Sequence, residues 1–506
     1  MANLKRVLAG ALSLCMVGSM LTACGDSSSE SAADSKADSK ADSSTTESTG
    51  DSSTTESKAD RKKTTDVHGV ASSDASKKTL RIYCWNTEFK ERLDKYYPQG
   101  TSLPLKTEEY EKKNDDGTTT KLTQITEING VKLEWVQNSN EGNVYQTKLD
   151  EDLKKQADSD NKIDMFLIEA DYALKYINSD YVLSVQDLGV TEDDLKDQYK
   201  YTKDVATNTK DGELKGVSWQ ATPGLFMYNT DYAQEVLGVK DPDKVQEFVK
   251  DWDTFKQTAA KMKEKGIKMM AGPDDAYRLF SNNMSAPWVT DGKLTIDPAL
   301  KQWAEQTKEY ADAGYLDPSA SLWGEAWKAG QKPTGKVFGY FFSTWGIAFT
   351  LEGNAGGAGA DAIGKWAGTQ GPQSYFWGGT WIVGATDADN TDIIGDIMKV
   401  MTCNKDVMKK ITEGEQDYTN NKTAIKELID GGYKSRLYNG QNHLVLLSEN
   451  ADKIDLTNKL CAYDQGCNEK FQAAMADWFK GNTKSYDDAV KNFKTEIKKL
   501  YANLEV

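Results

Sequence analysis

Aromatic side chains repeatedly stand next to polar residues or paired glycines in this sequence. The groups are Trp85 with Asn86, Trp219 with Gln220, Trp345 after Ser343 and Thr344, and Trp377 before Gly378 and Gly379. A flat ring offers an apolar surface, and a neighbouring amide or hydroxyl forms hydrogen bonds. A sugar needs this combination, because it has apolar C–H faces and a rim of hydroxyl groups. Each tryptophan alone could equally pack between a helix and a sheet.

Acidic residues offer a second possible chemistry. Glu88, Glu169 and Asp171 follow predicted strands, and two carboxyl groups about 5–10 Å apart can hydrolyse a glycosidic bond. Sequence spacing does not place two carboxylates across one bond, so a secreted glycoside hydrolase stays an alternative. In a binding site these carboxylates, with Asp275 and Arg278, would bind hydroxyl groups. Asp275 and Arg278 could instead form a surface ion pair at i, i+3 spacing.

The composition argues against several other functions. The formal charge is −16 and the chain has two histidines. Nucleic acid is excluded as a partner because phosphate binding needs a basic surface. Zinc sites rich in histidine and Ser-His-Asp triads need more histidine than this. The composition therefore nearly excludes chemistry built on histidine. For a binding protein we expect no metal, no cofactor and no catalytic residues. Cys461 and Cys467 could close a small disulfide loop or could be free thiols.

The first residues predict export. Lys5 and Arg6 precede an apolar run over residues 7–20, and Leu-Thr-Ala-Cys24 follows. A basic start, a short apolar segment and small residues before a cleavage site are typical of a secretory signal peptide. The Leu-Thr-Ala-Cys order resembles the lipobox of bacterial lipoproteins, which implies removal of residues 1–23 and lipidation of Cys24. Residues 24–78 are rich in Ser, Asp and Lys and are predicted to form a disordered tether.

Strand and helix patterns alternate after residue 78. Strands are predicted over 79–85, 131–136 and 163–168, and helices over 88–97 and 144–157. This alternation favours an α/β fold with a parallel sheet, in which ligands bind beyond the carboxyl ends of strands. Trp85, Asn86, Glu88, Glu169 and Asp171 all fall at such ends. A chain of 506 residues is too long for one ordinary core, so at least two lobes are expected.

Four segments resemble the extracellular solute-binding proteins of bacterial carbohydrate ABC importers, the maltose-binding-protein-like superfamily. They are LRIYCWNTEF (80–89), GVSWQATPG (216–224), YFFSTWG (340–346) and YFWGGTW (375–381). The resemblance implies a two-lobed periplasmic-binding-protein-like α/β fold with hinge crossings and a ligand cleft between the lobes. It implies lobe one at about 79–219 and 380–411, and lobe two at about 222–377 and 412–504. It also implies closure over a ligand and delivery to permease subunits.

We therefore expect a monomeric, lipid-anchored protein outside the cytoplasm that binds a carbohydrate. The number of tryptophans favours an oligosaccharide, and a peptide or another non-sugar solute stays an alternative. The predicted ligand-binding residues are Trp85, Asn86, Glu88, Glu169, Asp171, Trp219, Gln220, Asp275, Arg278, Trp345, Trp377, Gly378 and Gly379, with Gln441 and Asn442 as weaker candidates. Phe376 is predicted to lie in the core. An insert around residues 110–129 is larger than such proteins usually have, which leaves its role and the neighbouring strand order open.

Overall fold

The computed structural model describes residues 79–113, 117–332, 334–355, 364–435 and 440–506. The predicted signal peptide, the lipidation site Cys24 and the tether lie outside these residues. The strands are β1 (Thr79–Cys84), β2 (Leu105–Lys113), β3 (Thr119–Ile128), β4 (Val131–Gln137), β5 (Met165–Glu169), β6 (Val217–Ser218), β7 (Gly224–Asn229), β8 (Val289–Thr290), β9 (Lys293–Leu294), β10 (Gly339–Ser343), β11 (Trp366–Thr369) and β12 (Thr380–Gly384).

The α-helices of the described residues surround these strands. They are α1 (Glu88–Tyr96), α2 (Val144–Leu153), α3 (Ala173–Ile177), α4 (Lys200–Val205), α5 (Thr230–Leu237), α6 (Pro242–Gln246), α7 (Trp252–Glu264), α8 (Tyr277–Ser281), α9 (Pro298–Ala313), α10 (Glu325–Gly330), α11 (Glu352–Ala355), α12 (Thr391–Thr402), α13 (Lys405–Glu415), α14 (Lys422–Asp430), α15 (Leu444–Ala451), α16 (Asp464–Phe479) and α17 (Tyr486–Leu500). A π-helical turn over Ile347–Leu351 precedes α11.

The larger sheet has the strand order β2-β3-β4-β1-β5-β12-β6. β1 pairs in parallel with β4 and with β5, as the alternating pattern predicts. β12 runs antiparallel to β5 and to β6, and β2 and β3 add an antiparallel hairpin at the far edge. The carboxyl ends of β1, β5 and β6 therefore share one edge of the sheet with the amino end of β12.

Burial explains why these segments form strands and helices. Residues 165–168 of β5 are all buried, as expected for a parallel strand covered on both faces. α1 buries Phe89, Leu93 and Tyr96, whose i, i+4, i+7 spacing makes one apolar stripe on the helix. The stripe faces the core, so α1 lies along the sheet and its first turn follows directly from the end of β1.

Buried apolar side chains form two separate clusters, one for each lobe. The first contains the larger sheet, and the second contains the antiparallel sheet β10-β7-β11 together with α16 and α17. Tyr418, Ile425, Leu447 and Leu456 belong to the first cluster, whereas Cys467 belongs to the second. The predicted lobe boundaries stay a proposal. For the C-terminal part of lobe two, this packing favours a start between Leu456 and Cys467 over the predicted start at residue 412.

The two lobes are joined by neighbouring crossings of the chain. The described chain passes between the clusters from β6 to β7, from β11 to β12 and from α15 to α16. Pro223 in the first crossing forms an antiparallel bridge with Phe376 in the second. The Trp377 amide nitrogen donates to the Thr222 carbonyl over 3.1 Å. Adjacent crossings of this kind are the arrangement that a hinge between lobes requires.

Candidate binding cleft

A cavity of about 970 Å³ lies where the two lobes face each other. It opens at the sheet edge described above: β1 leads into Trp85, β5 ends at Glu169, and Gln220 follows β6. From the other lobe, β10 leads into Trp345. This is the position at which ligands bind in α/β sheets, beyond the carboxyl ends of the strands.

Most of the residues predicted from the sequence line this cavity. They are Trp85, Asn86, Glu88, Glu169, Asp171, Gln220, Trp345, Trp377, Gly378 and Gly379. Trp219, Asp275 and Arg278 do not line it. The common position of strand-end residues from both lobes makes this cavity the candidate functional site.

Three indole rings form one wall, here called the tryptophan cluster (Trp323, Trp345 and Trp377). The ring centroids of Trp345 and Trp377 are 5.0 Å apart with an interplanar angle of 77°. Trp323 lies 5.6 Å from Trp345 and 6.2 Å from Trp377. The Trp345 Nε1 atom donates to the Trp377 carbonyl over 2.8 Å. These contacts hold the rings in fixed orientations, so they present a preorganised apolar surface to the cavity.

At Gly378 and Gly379 the backbone carries no side chain and lies close to the tryptophan cluster and Trp381. Their φ angles are +73° and +106°, values that side chains rarely adopt. A Cβ atom on Gly378 would lie 3.2 Å from Trp345 Nε1, and one on Gly379 would lie 3.2 Å from the Trp381 ring. Both positions therefore require glycine, for conformation and for space.

Trp323 is strained. Its φ of +66° is in the left-handed region, which is unusual for a bulky residue and costs about 1–3 kcal/mol. Its indole nitrogen is buried and has no hydrogen-bond partner among the described residues. Strain and an unpaired donor at one cavity residue are typical of a functional position rather than a packing position.

A carboxyl pair at the end of β5 meets an arginine from the other lobe. Arg278 of α8 donates from Nη1 and Nη2 to the two carboxylate oxygens of Asp171, each over 2.6 Å. Glu169 Oε2 accepts from the Asp171 amide nitrogen over 2.8 Å. Burial, and then the Asp171 charge, raise the pKa of Glu169 to about 8. The raised pKa favours the protonated Glu169 carboxyl, which can donate as well as accept.

A second polar group surrounds Arg92 of α1. Its guanidinium contacts the Glu88 carboxylate and lies 3.3 Å from Asp417 Oδ2. Gln220 Nε2 donates to Asp417 Oδ2 over 2.7 Å, and Thr344 Oγ1 donates to Asp417 Oδ1 over 3.1 Å. Burial raises the pKa of Glu88, and the Arg92 charge opposes this rise. The group fixes Gln220 and Glu88 at the cavity surface.

The structure places Trp219 in the core, which corrects its prediction as a ligand contact. Trp219 has no exposed surface, and its ring stacks on Phe89 at 5.1 Å. The Arg92 guanidinium lies 5.8 Å from the same ring. The indole therefore packs against the core-facing side of α1 and cannot touch a ligand in this conformation. Its partner Gln220 turns to the opposite side, into the cavity.

Asp275 and Arg278 form neither the predicted ligand contacts nor the alternative surface ion pair. Asp275 is buried and accepts from Trp327 Nε1 over 2.7 Å and from the Gly272 amide nitrogen over 2.9 Å. Arg278 pairs with Asp171 instead and so positions a cavity residue. The i, i+3 spacing suggested one shared environment, but the two side chains leave the chain in different directions.

The weaker candidates Gln441 and Asn442 and two further aromatic residues also have structural partners. Asn442 donates from Nδ2 to the Ile429 carbonyl over 3.4 Å. Gln441 exchanges hydrogen bonds of 2.9 and 2.8 Å with the backbone of Gly368. Phe376 lies in the core as predicted, 5.5 Å from the Tyr201 ring. Trp381 is buried inside β12 and donates from Nε1 to the Thr202 carbonyl over 2.9 Å. None of these side chains lines the cavity.

Sequence reasoning missed several cavity residues. They are Arg92 and Glu91 of α1, Asp417, Trp323, Tyr172, and Tyr110, Lys112, Thr120, Leu122 and Thr123 of the β2–β3 hairpin, among others. The i, i+4 spacing of Glu88 and Arg92 on one helix face was an available signal. Asp417 follows α13 in a loop without a strand pattern, so nothing in the sequence pointed to it.

Other kinds of site are not evident in the described part of the chain. Cys84, Cys403, Cys461 and Cys467 are free thiols there, so the disulfide alternative for the last two is not observed. No group of three or more His, Cys, Asp or Glu side chains among the described residues could hold a metal ion. None of the helices described is both long enough and apolar enough to cross a membrane.

Solved structures share this architecture. A family 1 extracellular solute-binding protein superposes with a TM-score of 0.64 at 15% identity, covering 83% of this chain and 99% of its own. A Bifidobacterium animalis subsp. lactis ABC-transporter-associated protein in complex with β-1,6-galactobiose gives 0.60 at 16%, covering 84% and 97%. The galacto-N-biose/lacto-N-biose I-binding protein of Bifidobacterium longum gives 0.60 at 14%, covering 86% and 100%.

At these identities the likeness establishes the fold, and it confirms the predicted two-lobed α/β architecture. No curated protein sequence matches the chain. The sequence profile of the bacterial extracellular solute-binding proteins matches residues 121–432, which is more than half of the chain and spans parts of both lobes. The chain belongs to the family of bacterial extracellular solute-binding proteins.

Proposed function

We propose that this protein binds an extracellular oligosaccharide in the cleft and delivers it to the permease of an ABC transporter by hinged closure. The family is one of binding proteins that act outside the cytoplasm. Structures with the same fold were solved with β-1,6-galactobiose and with lacto-N-biose. Closure between lobes would let ligand shift the open–closed balance by its different affinity for the two states.

The observation that carries this proposal is the tryptophan cluster facing polar groups across one cavity. The second lobe supplies the flat rings, and the first lobe supplies Glu169, Asp171 and Gln220. Stacking of indole rings on C–H faces gives affinity for sugars in general. The polar groups give selectivity, because a hydroxyl or carboxyl left unpaired in a closed site costs about 1–3 kcal/mol.

The proposed ligand contacts follow from position in the cavity. They are Trp85, Asn86, Glu88, Glu169, Asp171, Gln220, Trp345, Trp377, Gly378 and Gly379, with Arg92 and Trp323 added from the structure. Ligand cavities run from about 300 to 1,000 Å³, and this one has about 970 Å³. Its size favours an oligosaccharide over a single sugar.

The arrangement of carboxyl groups favours binding over hydrolysis. The Glu169 carboxyl has the raised pKa of a general acid, but both oxygens of its neighbour Asp171 accept from Arg278. The Glu88 and Asp417 carboxylates pair with Arg92. A retaining glycosidase needs a second carboxylate free to attack the sugar, and none of these three is free in this way. The family is one of solute-binding proteins, so we propose that the protein is not an enzyme.

The anchor and the oligomeric state also belong to this proposal. Cys24 would carry lipid, and residues 24–78 would hold the body away from the membrane surface. A flexible tether of this length spans roughly 40 Å, which lets the body reach both free glycans and a permease. We also propose that the protein acts as a monomer.

A glycan panel tests the proposal. Calorimetry and thermal shift with di- to hexasaccharides of glucan, xylan, galactan and host-type galactosides should find at least one ligand that stabilises the protein. Recovering the bound sugar unchanged after long incubation excludes a hydrolase. If no carbohydrate binds while a peptide library gives ligands, the non-sugar alternative is correct and this proposal is wrong.

A further inference from the structure

The β2–β3 hairpin forms part of the cleft wall. It is the insert that the sequence singled out, and its Tyr110, Lys112, Thr120, Leu122 and Thr123 line the same cavity as the tryptophan cluster. In the strand register Tyr110 pairs with Leu122 and Lys112 pairs with Thr120. Alternate residues of a strand point to one face, so these four side chains share the hairpin face that is turned toward the cavity.

Contacts with α1 hold this face in place. The Ile125 amide nitrogen donates to Asp94 Oδ1 over 2.8 Å. Lys112 Nζ lies 2.7 Å from Glu91 Oε1, and Lys90 Nζ lies 5.5 Å from the centroid of the Tyr110 ring. α1 begins directly at the cavity with Glu88, so the hairpin is fixed to an element that already carries ligand-site residues.

The hairpin lies well away from the centre of the cleft. β4 and β1 separate β3 from β5, and strands in a sheet are about 4.8 Å apart, so β3 lies roughly 14 Å from the strand that carries Glu169. The tryptophan cluster belongs to the other lobe and adjoins Gly378 and Gly379 next to Glu169. One sugar ring cannot reach from that wall to the hairpin, whereas an oligosaccharide can.

We propose that the β2–β3 hairpin is an outer subsite, which contacts the sugar units beyond those held at the tryptophan cluster and so sets the preferred chain length. This inference rests on the proposed function. Tyr110 and Leu122 are half-buried and offer apolar surface for a pyranose face. The Lys112 charge is compensated by Glu91, so this face suits an uncharged ligand rich in hydroxyls. The occupant is a neutral oligosaccharide chain rather than a disaccharide.

The test measures affinity against chain length in the full-length wild-type protein, whose body is residues 79–506. The probes are homologous series from disaccharide to hexasaccharide of β-1,4-glucan, β-1,4-xylan, α-1,4-glucan and β-galactan. The variants are Tyr110→Ala and, as the matched control, Glu111→Ala, whose exposed side chain lies on the opposite face of the same strand. Thermal unfolding of each variant checks that the hairpin change leaves the body folded.

Wild-type affinity should rise with chain length within the series that binds. Tyr110→Ala should weaken binding of the longest members by about fivefold, which corresponds to about 1 kcal/mol, and should change disaccharide binding less than about twofold. Glu111→Ala should leave the whole series unchanged. Equal weakening at every length, or no weakening at any length, would overturn the subsite. Absence of binding to every series and to the host-type galactosides of the glycan panel would instead overturn the proposed function and this inference with it.

Discussion

Arg278 and Asp171 join the two lobes through a pair of hydrogen bonds, each 2.6 Å long. Arg278 belongs to α8 of the second lobe, and Asp171 follows β5 of the first. The two side chains are only 13% and 27% exposed, so water compensates neither charge fully. The pair therefore fixes the distance between lobes at the base of the cleft.

Removing one partner of this pair should destabilise the protein strongly. Arg278→Met keeps much of the side-chain volume but leaves the Asp171 charge uncompensated, and breaking a buried ion pair in this way costs about 3–5 kcal/mol. We expect the free energy of unfolding to fall by about 3 kcal/mol, the lower end of this range, because both groups retain some solvent contact. Urea denaturation of the body measures this directly.

Lys196→Met is the matched control. Lys196 pairs with Asp193 on the surface, where the side chains are 64% and 86% exposed, and such a pair contributes about 0–1 kcal/mol. A loss of stability for Arg278→Met no larger than that of Lys196→Met would show that the interlobe pair contributes nothing. The double variant Asp171→Asn with Arg278→Met should recover part of the loss, since it removes the unpaired charge.

Gly378→Ala should weaken glycan binding as well as stability. Alanine at a φ of +73° is strained by about 1–2 kcal/mol, and its Cβ would meet Trp345 Nε1 at 3.2 Å. Trp345 must then move, so we expect about tenfold weaker binding. Gly481→Ala has the same strain at φ +79° but nothing within 4 Å of its Cβ. Equal effects of both variants on glycan affinity would refute this role for Gly378.

Much of this site could be predicted from the sequence because strand ends are marked by local patterns. Trp85, Glu169 and Gln220 each follow a short apolar strand, and parallel strands bring such ends to one edge. Trp219 shows the limit of this reasoning. Neighbouring residues at a strand end point to opposite sides, so Gln220 reaches the cavity while Trp219 stacks on Phe89.

Residues that reach the cleft through tertiary packing could not be predicted in this way. Asp417 follows α13, and its cavity position depends on contacts with Gln220 and Thr344 that lie far away in sequence. The α/β class followed from the alternation of strands and helices, whereas the two-lobed binding-protein arrangement was implied by the resemblance of four segments to a known family. The start of the C-terminal part of lobe two did not follow from any local pattern. The apolar faces of α14 and α15 could cover either lobe, and only long-range packing selects one.

The raised pKa of Glu169 makes stability depend on pH. The pKa is about 8 in the folded protein and near 4.5 ordinarily, so the folded state holds a proton that the unfolded state releases between these values. The contribution to stability is fully present below pH 4.5 and is lost as the pH rises through 8. Glu169→Gln stays neutral at every pH and should remove this contribution to the slope of the unfolding free energy against pH.

Urea unfolding from pH 5 to pH 9 measures the difference in slope between wild type and Glu169→Gln. Asp275 and Asp464, whose pKa values burial raises to about 7, contribute to both proteins, so they cancel in the comparison. Glu325→Gln, at a side chain that is 94% exposed, should leave the slope unchanged. If the unfolding free energies of wild type and Glu169→Gln change with pH in parallel, Glu169 is ionised over the whole range from pH 5 to pH 9.

Glycan affinity of Trp345→Ala tests the central claim most directly. Trp345 is half-buried and lines the cavity, whereas Trp377 is only 5% exposed, so Trp345 is the better variant. Trp478→Ala is the control, since Trp478 is equally half-buried but lies outside the cavity against Phe479 and Tyr486.

The measurement is isothermal titration calorimetry with the glycan that binds the wild type most tightly. If the tryptophan cluster is the sugar-binding wall, Trp345→Ala binds at least about tenfold more weakly and Trp478→Ala stays within about twofold of the wild type. A folded Trp345→Ala protein with affinity within about twofold of the wild type would contradict the account, because it would show that the cluster packs the lobe and does not bind sugar.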